Sequence, residues 1–92
     1  MLSLTACMSK NKKIPWRVVE EEAILVDVSG ACIIHLDEVG AEIWNAIDGK
    51  RSIADIIQHI RDVFDTDGET AQKDTLEFIE QLLRKGLIED VS

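Results

Sequence analysis

The sequence predicts an α+β domain: a three-stranded antiparallel β-meander followed by three α-helices. Two observations carry that prediction. Apolar residues recur with a period of two, in runs rich in β-branched side chains, as far as Leu36, and from Asp37 onward the period becomes 3.6. The links between the apolar runs are only a few residues long, which permits hairpins but not the longer crossovers of a parallel sheet. A third observation limits the size. A chain of 92 residues, without internal repeat or low-complexity segment, buries about 60–65% of its unfolded surface, enough for one modest core.

The elements follow in order. Residues 1–14 hold Lys10, Lys12 and Lys13 with no acidic neighbour and read as a flexible, solvated basic arm, leaving 15–92 as the domain. Pro15 opens the first strand, Trp16-Arg17-Val18-Val19, and Glu20-Glu21-Glu22, too charged to bury, marks the first turn. The second strand runs from Ala23 to Val28 and the third from Ala31 to Leu36, with Ser29-Gly30 as a tight turn in which glycine supplies the positive φ. Asp37 is placed to cap a short first helix that turns Val39, Ile43, Ala46 and Ile47 to one face and stops before Gly49. Ser52-Ile53-Ala54-Asp55 is a capping box with Asp in place of the usual Glu or Gln; it opens a second helix whose apolar stripe is Ile53, Ile56, Ile57, Ile60 and Phe64. Asp65-Thr66-Asp67-Gly68 breaks that helix. A third begins near Thr70, turns Leu76, Ile79, Leu82 and Leu83 inward, and ends with Arg84, Lys85 and Gly86 before Leu87-Ile88 closes the domain.

Charge and cysteine usage narrow the function. All 18 acids lie after Arg17, against 6 bases there, so the body carries about twelve negative charges and repels a phosphate backbone. Nucleic acid is therefore not an expected partner. No apolar run approaches the ~20 residues a spanning helix needs, so no membrane partner is expected either. Cys7 and Cys32 have no metal-type spacing, and two unpaired thiols suit a reducing cytoplasm. Leu4-Thr5-Ala6-Cys7 has the shape of a lipoprotein signal's end, but the six residues before Cys7 leave no room for an apolar stretch; the segment reads as a leader ahead of a start at Met8.

Candidate chemistry is sparse. His35 reads as a surface strand residue and His59 as a solvated helix residue, and no nucleophile, base and orienter come together. No catalytic residue, metal or cofactor is expected. Ser52 stands at a helix start, as the prosthetic-group serine of acyl carriers does, yet it lies between Arg51 and Ile53 rather than in Asp-Ser-Leu, and its capping role accounts for it. Three helices with a β-ribbon also resemble a winged helix-turn-helix, but neither later helix has the basic face that reads DNA.

The third strand is the most informative. Exposed sheet edges normally carry charge or proline. The first strand has Pro15 and Arg17; Ala31-Cys32-Ile33-Ile34-His35-Leu36 has neither proline nor formal charge at neutral pH. Two readings stay open: part of the same chain covers this edge, or it accepts a strand from a partner.

The segment Ile34-His35-Leu36-Asp37-Glu38-Val39-Gly40-Ala41-Glu42-Ile43-Trp44, followed by Ile47-Asp48-Gly49-Lys50-Arg51-Ser52-Ile53-Ala54-Asp55-Ile56, resembles the PqqD-like proteins, also called RiPP recognition elements. Phe78-Ile79, Leu82 and Gly86-Leu87-Ile88 are similar to that family's ending. The resemblance spans residues 15–89. Asp37 stands where the family often has Asn, and Trp44 is commoner in its broader members than in the quinone-pathway protein. It implies a non-catalytic peptide chaperone that binds the leader of a ribosomally made precursor peptide by β-augmentation and presents it to a modifying enzyme, often a radical S-adenosylmethionine enzyme. The implied docking residues are Ala31, Cys32, Ile33, Ile34 and His35 on the strand, with Phe78, Gln81 and Lys85 as the wall of a groove on the third helix. By alternation Cys32, Ile34 and Leu36 face the core, and Ile33 and His35 the other side. The competing reading is a winged-helix regulatory or structural module that forms a homodimer through the same edge.

Overall fold

The computed structural model describes residues 3–27 and 32–91. Five strands and three helices occur among them: β1 (Met8–Lys10), β2 (Trp16–Val19), β3 (Glu22–Asp27), β4 (Cys32–Leu36), α1 (Glu38–Ala46), α2 (Ile53–Phe64), α3 (Gly68–Arg84) and β5 (Ile88–Asp90). The expected meander is present as an antiparallel sheet in the order β2-β3-β4, and the three helices follow it. Val19 pairs with Glu22, so the first turn is Glu20-Glu21 alone, with Glu20 at a φ of 59°. The Ser29-Gly30 turn and Ala31 lie outside the described residues, as does the side chain of Cys32.

Local chemistry sets the helix limits. Asp37 accepts from the Gly40 N–H at 2.8 Å, the Ser52/Asp55 capping box closes in both directions, and Asp67 caps α3 through the Thr70 N–H at 2.8 Å. That cap starts α3 at Gly68, two residues earlier than the apolar pattern suggests, because Gly68 and Glu69 complete a first turn with nothing to bury. Gly86, at a φ of 73°, ends it. Trp44, Ile43, Ile47, Ile53, Ile56, Ile79 and Leu87 are fully buried and form the centre of the core, with Ala23, Leu25 and Leu36 supplying the sheet's inner face.

The structure corrects the reading of residues 1–14 as a solvated arm. β1 pairs with β5, Met8 opposite Asp90 and Lys10 opposite Ile88, and Ala6 and Met8 join the core. The reason is the start of α2. Its first N–H groups have no partner within the helix, and the Ala6 and Leu4 carbonyls accept from Ile53 and Ala54, each at 2.9 Å. Lys10 looked solvated because it is charged. In fact its ammonium lies over Trp16 and Trp44, Nζ 5.4 and 5.5 Å from the ring centroids, and donates to the Ile47 carbonyl. Burial lowers its pKa from the ordinary lysine value, with Asp48 pulling the other way.

Candidate functional site

The phase of the β-ladder determines which backbone groups of β4 are free. Val26 donates to the Pro15 carbonyl at 2.9 Å, so its polar groups point at β2. Alternation turns those of Ala23, Leu25 and Asp27 toward β4. Their partners Leu36, Ile34 and Cys32 are therefore the β4 residues bonded to β3. The N–H and C=O groups of Ile33 and His35 project from the opposite edge, where the sheet has no further strand among the described residues. The side chains follow the expected alternation where described: Leu36 is buried, Ile34 half-buried, and Ile33 72% exposed.

Beside the Leu36 end of β4 lies a groove of about 480 Å³. Its lining apolar side chains are Leu36, Val39, Ile43 and Phe78, and its rim carries His35, Asp37, Asp74, Glu77 and Gln81. The bare Cα of Gly40 faces the tip of the Phe78 ring from α3: a Cβ there would sit 3.4 Å from Phe78 Cζ and 3.3 Å from Asp37 Oδ1. The ring of Phe78 rests in the space that glycine leaves. His35 Nδ1 lies 3.3 Å from Glu22 Oε2, with both side chains more than half exposed.

Of the residues singled out from the sequence, His35, Phe78 and Gln81 line this groove and Ile33 flanks it along the edge. Lys85 does not line it; its N–H caps α3 on the Gln81 and Leu83 carbonyls. The contribution of α1 was missed, because Val39 and Ile43 read as core stripe and Gly40 carries no side chain. His59, read as solvated, places Nε2 2.7 Å from Glu42 Oε1 and ties α2 to α1. No group of three or more His, Cys, Asp or Glu that could hold a metal ion occurs among the described residues. No described helix is long and apolar enough to cross a membrane.

An open strand edge beside a groove walled by a helix, on a three-stranded antiparallel sheet followed by three helices, defines a small α+β domain of winged helix-turn-helix type. The chain belongs to the PqqD family: the profile of coenzyme PQQ synthesis protein D (PqqD) matches residues 22–88. Among solved structures it is similar to one described as TbiB1 in complex with the TbiA(beta) leader peptide. That similarity has a TM-score of 0.79 and 22% identity, over 88% of this chain and 94% of the other, and shows a common fold. No curated protein sequence matches the chain.

Proposed function

We propose that the chain is a peptide chaperone with no catalytic activity of its own. It takes the leader of a ribosomally made precursor peptide as an added strand on β4 and presents it to a modifying enzyme, a radical S-adenosylmethionine enzyme being the partner class the family suggests. The observation that carries this reading is the pair of unused backbone positions, Ile33 and His35, on an edge without charge blocking or proline and next to the groove. Family membership and the leader-peptide complex of the similar protein support it.

The test uses proline as a backbone probe. Ile33→Pro removes a donor that faces outward and leaves the β3 ladder its bonds, so the variant folds but loses most of its affinity for a leader peptide encoded beside the gene, about tenfold or more for one or two strand hydrogen bonds. Val18→Pro makes the same change on the open edge of β2 and leaves affinity unchanged. Amide hydrogen exchange checks the phase: Ile33 and His35 exchange fast in the free protein, Ile34 and Leu36 slowly, and the first pair becomes protected when peptide is added. Equal binding by folded Ile33→Pro and the parent removes the docking site from β4. A protein that is dimeric by mass and has these two amides protected without peptide favours pairing between copies.

A further inference from the structure

Resting on the peptide-docking reading, we infer that the segment seated in the groove is a basic one: an extended peptide that places an apolar side chain over Phe78, Leu36 and Ile43 and carries Lys or Arg beside it. The apolar floor and the open edge set the shape of the guest but leave its charge undefined. The rim defines the charge. Asp37, Asp74 and Glu77 line the groove, and none of the lining residues is Lys or Arg. Asp37 is committed to the Gly40 N–H and so offsets the positive end of α1. Asp74 and Glu77 are exposed on α3 and make no hydrogen bond or ion pair among the described residues. The acidity continues past the Leu36 end of β4 into a cleft lined by Glu20, Glu21, Glu22 and Glu38, and Glu22 joins the two through its contact with His35.

Docking a strand over this rim takes water from Asp74 and Glu77. An acidic guest adds repulsion to that cost, a neutral one leaves the carboxylates without a partner, and a Lys or Arg offsets it. Each exposed pair is worth about two- to fivefold in affinity and weakens with salt. The acidic character of the whole body acts in the same direction by steering cations toward the groove.

A displayed library of random peptides about ten residues long, long enough for one strand with flanks, selected on the full chain at low salt tests this. Lys and Arg should be enriched about threefold at one or two positions flanking an apolar one. On the Asp74→Asn/Glu77→Gln variant the basic enrichment should vanish while the apolar preference persists. If peptides are enriched for shape alone, or for acids, and Ile33→Pro fails to hold them, the charge inference is overturned and edge docking stands. If basic peptides are enriched equally on Ile33→Pro, the cation preference holds but the edge is not where they bind. A pool with no enrichment over the starting library overturns the inference outright.

Discussion

At the residue scale, Thr75, like Trp44, carries an unpaired polar atom in the core. Thr75 is fully buried on the inner face of α3, and its Oγ1 has no hydrogen-bond partner among the described residues. A buried hydroxyl left unpaired loses its hydration for nothing, whereas valine of the same shape does not. Thr75→Val should therefore raise the unfolding free energy by about 1 kcal/mol, measured as a higher urea midpoint at unchanged slope. A lower midpoint would show that the hydroxyl makes a contact worth more than its desolvation. What could be read from single residues in the sequence was local: Asp37, Ser52 and Asp55 act within three positions of themselves, and each caps as expected. That Asp74 and Glu77 line the groove was not legible, because a helix position in a sequence does not tell which neighbour its exposed side faces.

At the element scale, β1 and β5 show what short pairings hide. Each has three residues, too few to display a period, and they meet across almost the whole chain. The longer helices were legible because a stripe repeated over several turns identifies a buried face, while the β1–β5 ribbon depends on α2 needing acceptors for its first N–H groups. Met8 anchors the ribbon at 1% exposure. Met8→Ala should cost about 2–4 kcal/mol in chemical denaturation, the penalty of a core position. A loss under about 0.5 kcal/mol, the level of a surface change, would return this segment to the solvated arm that its lysines suggest.

At the scale of the whole molecule, two carboxylates make part of the stability depend on pH. Hydrogen bonds from the Arg51 and Lys50 N–H groups hold Asp48 below the ordinary aspartate pKa, and the Thr70 N–H and hydroxyl do the same for Asp67. Both pKa values are depressed in the folded state, so their contribution is fully present at neutral pH and is lost as pH falls through the folded values. Asp48→Asn/Asp67→Asn should unfold with a flatter pH dependence than the parent between about pH 5 and pH 2, read from urea midpoints; parallel curves would place the acid sensitivity elsewhere. The ribbon has a consequence at this scale too. Met8 and Asp90 are Cα partners on neighbouring strands, and no residue of β1 or β5 lines the groove. A polypeptide continuing beyond both strands therefore enters and leaves this domain side by side, with the groove left clear.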